Sequence, residues 1–256
     1  MKRTMTRIGI LGVTGRMGRA IGNAAASQGV SIAGGIDRDG GVHGDHATPR
    51  ALAEASDVLV DFTAPDALAG HLDIALAAGK PILIGTTGLL PAHHAIIENA
   101  AQQIAVLQTA NTSIGVNLLR HLVREAARRL GPEWDAEILE MHHRDKLDTP
   151  SGTALLLGAA VNQGRGAASN IALNRFDRMR EGPHEREEGG VYYASLRGGS
   201  VAGEHDVIFA GEGERIVLGH KAENRGVFAT GAVRAAIWLV GKPAGLYTMQ
   251  DVLGLG

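Results

Sequence analysis

The sequence predicts an α/β protein whose first part holds a parallel sheet and whose second part is α+β with a mixed or antiparallel sheet. Three observations carry this. From Arg7 to about Asn111, short apolar runs (IGILGV, VSIAGGID, DVLVDF, PILIGTT, IAVLQTA) alternate with alanine-rich helical stretches, the rhythm of repeated βαβ units. The rhythm then changes: a long amphipathic helix, about Ile114 to Leu130, stops at Gly131-Pro132 and leads into the strand AEILEMHH. Farther on, the strands VYYASLRG, EHDVIFA and RIVLGHKA follow one another with no helix between them.

The remaining elements follow in order. Thr153 opens a helix, with Pro150 suited to its first turn and Asp148 or Thr149 to its cap. A polar, glycine-punctuated stretch covers Asn162 to Gly190, and its charge run GPHEREEGG reads as a solvated loop, because charges rarely bury unpaired. A final helix spans about Gly226 to Val240, stops at Gly241-Lys242-Pro243, and leaves the tail YTMQDVLGL.

Composition narrows the function. With 256 residues and 45% hydrophobic content, one large or two modest packed domains are possible. A net charge of −2 gives no general attraction for nucleic acid or anionic membrane, and 4% aromatic content offers little surface for stacking bases. Without cysteine there are no disulfides, thiolate metal ligands or cysteine nucleophiles. The basic MKRTMTR is followed by a run too short and glycine-rich for a signal-peptide core, and no later run is long enough to span a bilayer. The expectation is a cytoplasmic protein with neither a membrane nor a nucleic-acid partner.

The stretch RIGILGVTGRMGRA sets Gly12, Gly15 and Gly18 between a buried strand and a helix. Glycine there lets the backbone approach a pyrophosphate, and the helix start supplies unpaired N–H groups. The spacing is GxxGxxG, with Thr14 in the middle glycine position of the stricter motif. Tight packing alone would also use glycine, but Asp37 ends the next strand where a carboxylate can accept ribose hydroxyls. Arg38 follows, where a guanidinium can hold a 2′-phosphate. NADH and NADPH both stay open. Two further strand ends, DFTAP and IGTTG, place Thr63, Gly85, Thr86 and Thr87 at the same crevice.

A second constellation is HHRDKLDTPSGT. Ser151, Gly152 and Thr153 at a helix start offer hydroxyls and N–H groups to a carboxylate, although a plain cap has the same pattern. Strand alternation sends His142 and His143 to opposite faces. Metal binding fits poorly, since HExxH is absent and no third ligand is evident nearby. Two histidines, Lys146 and an anion-binding helix start within a dozen residues suggest proton donation beside a bound carboxylate.

These residues resemble one family, the 4-hydroxy-tetrahydrodipicolinate reductases (dihydrodipicolinate reductases) of lysine and diaminopimelate biosynthesis. The similarity covers the whole chain: GxxGRMGR at Gly12–Arg19, DFT at Asp61–Thr63, GTTG at Gly85–Gly88, and the signature E-x-H-H-R-x-K-x-D-x-P-S-G-T-A at Glu140–Ala154. GEH at Gly203–His205, GER at Gly213–Arg215, HKA at His220–Ala222 and GAVRAAIWL followed by GK also match. One departure is Asn111-Thr112-Ser113, where family members usually read NFS.

The resemblance implies a Rossmann-like dinucleotide-binding domain of residues 1–112 and 223–256. Residues 113–222 would form an inserted α+β domain with a mixed open sheet that binds substrate and builds a homotetramer. His142 would donate a proton, with Lys146 as a second catalytic group that steadies substrate charge. His143, Ser151, Gly152 and Thr153 would hold the carboxylates of a small cyclic dicarboxylate. Gly12, Val13, Thr14, Gly15, Arg16, Met17, Asp37, Arg38, Gly85, Thr86, Thr87, Ala110, Asn111, Thr112 and Ser113 would contact NADH or NADPH. Arg225 would sit at the return hinge. The reaction implied is NAD(P)H-dependent reduction with loss of water, in which hydride addition to a C=N–C=C system leaves an enamine to be protonated on carbon. Two alternatives remain at this point: a dehydrogenase of a small amino dicarboxylate, such as an aspartate dehydrogenase, and a non-catalytic nicotinamide-nucleotide sensor.

Overall fold

The computed structural model describes residues 5–166, 174–175 and 185–255. The chain divides into two compact units, Met1–Ile114 with Gly226–Gly256, and Gly115–Arg225.

The first unit is built on β1 (Arg7–Leu11), β2 (Ser31–Ile36), β3 (Val42–His43), β4 (Val58–Asp61), β5 (Ile82–Ile84), β6 (Ala105–Gln108) and β12 (Gly245–Tyr247), in the sheet order β12-β6-β5-β4-β1-β2-β3. Every pairing is parallel except that of the edge strand β3. The apolar runs of β4 and β5 are buried at every position, as strands covered on both faces must be. Alternation divides β1: Ile8 and Ile10 join the core under α1 (Arg16–Ser27), α7 (Gly226–Leu239) and α8 (Met249–Leu253). Leu11 joins the opposite core under α2 (Pro49–Ala55), α3 (Leu68–Ala78) and α4 (Pro91–Ala101). Each such fully buried aliphatic side chain contributes roughly 1.5–3 kcal/mol relative to exposure. The chain runs outward from β1 to β3, then outward on the other side from β4 to β6, so the carboxyl ends of β1 and β4 flank a topological switch point. The tail, legible only as a segment after the last helix, supplies both β12 and α8.

The second unit packs α5 (Ile114–Leu130) and α6 (Gly152–Gly164) on one face of a mixed sheet of β7 (Asp135–His142), β8 (Asn174–Arg175), β9 (Val191–Arg197), β10 (Gly203–Ala210) and β11 (Arg215–Ala222). Its order is β11-β10-β7-β9-β8, so the consecutive strands β9 and β10 are separated by β7. β7 pairs antiparallel with β10 and parallel with β9. Alternation puts Ala136 and Ile138 of β7, and Val207 and Phe209 of β10, into the core beneath the helices.

Three local expectations need correction. Ser151, rather than Asp148 or Thr149, caps α6: its hydroxyl accepts the Ala154 amide at 3.2 Å, and Pro150 precedes the helix instead of starting it. Both expected caps are engaged elsewhere: the Asp148 carboxylate accepts from Lys146 at 2.8 Å, and Thr149 Oγ1 accepts from Arg197 Nη2 at 3.1 Å, the same nitrogen that donates to the Asp148 carbonyl at 2.7 Å. α6 runs to Gly164, so the polar stretch taken from Asn162 begins inside the helix; residues 167–173 and 176–184 of it lie outside the described residues. Within the charge run, Arg186 is not solvated. It pairs with Asp135 at 2.6 Å and with Glu137, donates to the Ala136 carbonyl at 3.1 Å, and lies 4.4 Å from the Tyr192 ring centroid.

Candidate active site

In the first unit the carboxyl ends of β1, β2, β4, β5 and β6 lie along one edge of the sheet and carry the residues expected to contact a dinucleotide. Gly12 has φ +84°, and its amide donates to the Ile36 carbonyl at 2.7 Å, which ties the turn after β1 to β2. A Cβ at Gly18 would sit 2.3 Å from the Gly12 carbonyl oxygen, so this close helix–turn approach requires glycine. Gly15 caps α1 with no side-chain hydrogen bond, and Thr14, Gly15 and Arg16 are exposed. Open first-turn N–H groups and an exposed glycine turn fit a pyrophosphate. Val13 and Met17 instead pack on the core.

Asp37 is already engaged in its own turn. Its carboxylate accepts from the Gly41 amide at 2.8 Å and the Asp39 amide at 3.1 Å, and lies 3.0 Å from His43 Nε2. The hydrogen bond from His43, followed by that from Gly41, holds it below the usual carboxylate range. Arg38 beside it is exposed.

The ends of β4 and β5 are joined through Asp61, which is fully buried. Its Oδ1 accepts from Thr63 N at 2.9 Å, Thr63 Oγ1 at 2.6 Å and Thr86 Oγ1 at 3.2 Å, and its Oδ2 lies 2.9 Å from His71 Nδ1. Thr86 is thereby turned inward, whereas Thr87 is exposed. Gly85 donates its amide to the Asp61 carbonyl at 2.8 Å. After β6, Ala110 is exposed, and the Asn111 side chain accepts the Ser113 amide at 2.8 Å. Thr112, in place of the aromatic, is 2% exposed and donates its hydroxyl to the Phe228 carbonyl of α7 at 2.7 Å.

In the second unit the chemistry gathers at the end of β7. Glu140 and His142 share the buried face, two residues apart, and His142 Nδ1 donates to Glu140 Oε2 at 2.5 Å. Arg197 Nη2 donates to the other Glu140 oxygen at 2.8 Å. Directly across from Glu140 on β10, His205 sets its ring 5.0 Å from that of His142, edge to face. His143 turns the other way, as alternation requires, and accepts from Arg225 Nη2 at 3.0 Å. Lys146 pairs with Asp148 at 2.8 Å. Ser151 is buried with its hydroxyl 3.2 Å from His205 Nε2, and Gly152 is exposed beside it. The structure therefore brings His142 and Ser151 into one buried cluster and sets His143 and Arg225 apart from it on the opposite face.

Burial opposes the Glu140 carboxylate, but hydrogen bonds from Arg197, Ser195 and His142 outweigh it and keep the group below the usual range. Burial pushes His142 down; Glu140 pulls it back, while Lys146 and Arg197 add to the lowering. His205 is pushed down to about 4, first by burial and then by His142. Glu140, His142 and His205 offer donor atoms within 4.8 Å of one another, so a third group does stand near His142. Both Glu140 oxygens are nonetheless taken, one by an imidazole and one by a guanidinium, which leaves a hydrogen-bonded pair beside fixed positive charge.

Sequence reasoning assigned no role to Glu140, Arg197 or His205. Period-two alternation was the available signal: E-x-H places Glu140 and His142 on one strand face, and GEHDVIFA does the same for His205 with Val207 and Phe209.

The geometry agrees with what the chain is similar to. Residues 6–112 match the family model described as dihydrodipicolinate reductase, N-terminus, and residues 115–253 match its C-terminus counterpart. A 4-hydroxy-tetrahydrodipicolinate reductase of Zymomonas mobilis is 53% identical over 256 residues, covering 99% of each chain. One of Acidiphilium cryptum is 48% identical over 251 residues, covering 97% of this chain and 98% of its own. Among solved structures, a dipicolinate-bound dihydrodipicolinate reductase of Paenisporosarcina has the same fold, with TM-score 0.76, 24% identity, and coverage of 96% of this chain and 98% of that one. The chain belongs to the dihydrodipicolinate reductase family.

Proposed function

We propose that the chain reduces 4-hydroxy-tetrahydrodipicolinate to tetrahydrodipicolinate with NADH or NADPH and loss of water, in lysine and diaminopimelate biosynthesis. One observation carries the reading: a buried, carboxylate-paired imidazole stands beside Lys146 and the Ser151-capped start of α6, in a chain of this family. The glycine turn after β1 and the exposed loop positions after β2, β5 and β6 hold the dinucleotide, which supplies the hydride when bound. His142 delivers a proton to the substrate carbon from Nε2, because Nδ1 is committed to Glu140. Lys146 leaves Asp148 to pair with substrate charge. The N–H groups at Gly152 and Thr153 take a carboxylate, and Ser151 serves from behind through its cap and His205.

His142→Gln lowers turnover roughly 10²- to 10⁴-fold with cofactor affinity little changed. Steady-state assays with each cofactor, combined with binding of pyridine-2,6-dicarboxylate, test this; near-normal turnover removes His142 from the role. A nicotinamide sensor would tolerate the substitution and bind no dicarboxylate.

The assembly is a homotetramer in this reading. The face of the second sheet opposite α5 and α6 carries Leu139, Met141, Leu196, Ile208 and Val217, with Leu196 49% and Val217 58% exposed. Such an apolar sheet face fits burial against other copies. The cytoplasm is the location that a biosynthetic reductase would occupy, and among the described residues no helix is long and apolar enough to cross a membrane.

A further inference from the structure

Behind His142 stand a carboxylate and a guanidinium to which the proposed reaction gives no task. Glu140 is fully buried, and an unpaired carboxylate would be strongly unfavourable there. Its Oε2 accepts from His142 Nδ1 at 2.5 Å, and its Oε1 accepts from Arg197 Nη2 at 2.8 Å and from the Ser151 amide at 3.4 Å. The first bond settles which ring nitrogen of His142 keeps its proton, because a carboxylate can only accept. The second prevents the carboxylate from turning away. Arg197 also donates from Nε to the Lys146 carbonyl at 3.3 Å, and from Nη2 to the Asp148 carbonyl and Thr149 Oγ1. One guanidinium thus fixes both the partner of His142 and the loop that bears Lys146. Beyond the ring lies Gly203, where a Cβ would come within 3.1 Å of His142 Nε2, so glycine keeps that nitrogen clear.

We propose that Glu140, locked by Arg197, is the positioning residue of the site: it holds the His142 ring with Nε2 toward the substrate and sustains the imidazolium that donates the proton. The inference rests on the reading of His142 as donor. Four charged or titratable groups face that imidazole: Glu140 on its own strand, His205 from β10, Arg197 from β9 and Lys146 from the following loop. Burial, Lys146 and Arg197 all disfavour its protonation, and Glu140 supports it.

Glu140→Gln retains size and an acceptor for Nδ1–H but removes the charge. In the pH profile of kcat, the limb that falls as His142 loses its proton moves to lower pH by about one unit or more, and turnover recovers toward the parent at acid pH. Glu140→Asp withdraws the carboxylate by one methylene and moves the limb the same way by less, which keeps the test open if the Gln variant does not fold. NMR titration of the His142 ring shows the same downward shift without reference to turnover. A limb and a ring titration that stay in place in both variants, or a loss of turnover independent of pH, overturn the positioning role. His142→Gln separates the two failures. If it keeps turnover and limb, the donor reading falls and the positioning role with it; if it loses both while the Glu140 variants leave the limb unmoved, only the positioning role falls.

Discussion

Ser151 and His205 are joined in the buried cluster: the Ser151 hydroxyl accepts the Ala154 amide and lies 3.2 Å from His205 Nε2, in surroundings whose burial disfavours a charged imidazole. With His205 at about 4 in the fold against 6.5 for an ordinary histidine, the unfolded chain takes up the proton first as pH falls. This contribution to stability is intact above about pH 6.5 and lost progressively down to about 4, at on the order of 1.4 kcal/mol per unit. His205→Gln keeps a hydrogen-bond partner for Ser151 and removes the titration. Urea unfolding between pH 7 and 4 shows a shallower loss in the variant; equal slopes exclude His205 as the source.

The buried Asp61 carboxylate accepts from donors in two βα turns, so its loss is felt in both. Asp61→Asn turns an amide N–H₂ toward groups that donate to it and costs roughly 2–4 kcal/mol, on the scale of hydrogen bonds to a buried charge. Chemical denaturation measures the stability, and titration with NADH measures the cofactor site. A variant as stable as the parent would sink the view of Asp61 as a clamp.

Thr112 shows how a hydroxyl occupies the aromatic position. Its side chain bonds into α7, and a Cβ at Gly231 would collide with the Thr112 carbonyl at 1.9 Å, so helix and turn are in direct contact. Thr112→Val loses the bond to Phe228 and costs about 1 kcal/mol. Thr112→Phe overfills the space and costs roughly 1–3 kcal/mol. Thermal unfolding of both variants decides; a stabilised Phe variant would mean that α7 yields.

Arg38 is exposed beside an Asp37 whose carboxylate is occupied by its own turn, which leaves the guanidinium as the adaptable group at the ribose end. Arg38→Ala weakens NADPH more than NADH, as judged by the two dissociation constants. Equal loss for both rules out a 2′-phosphate contact.

Val217→Asp places a charge on the open apolar face of the second sheet. Sedimentation velocity then finds a smaller species than for the parent, and an unchanged profile removes this face from the proposed tetramer.

The parallel sheet was legible because βαβ units announce themselves locally: each strand is a short apolar run between glycine turns and alanine-rich helices. β3 and β12, two and three residues long, carry too few side chains to set a pattern. The cap of α6 was misassigned because Pro150 has the chemistry of a first-turn residue, whereas the Asp148 carboxylate is drawn off by Lys146 and the Thr149 hydroxyl by Arg197, 48 positions away in sequence. Arg186 read as a solvent charge for the same reason, since its partners Asp135 and Glu137 lie across the sheet. At the site, His142 and Lys146 stood out by clustering, whereas Glu140 hid as one acidic residue in a strand and His205 as a histidine 63 residues from the one it touches.

The place of β7 between β9 and β10 has a temporal side. In a chain made from its N-terminus, β7 is finished well before either neighbour exists, and it pairs with residues 55 positions away in β9 and 63 to 75 positions away in β10, which makes formation slow compared with local helices. Until then, Glu140 has neither Arg197 nor a dry environment, and His142 is an ordinary solvated histidine. The ribosome therefore releases a nascent protein that can assemble much of its nucleotide sheet early and acquires its proton-handling pair only after residue 210 has emerged.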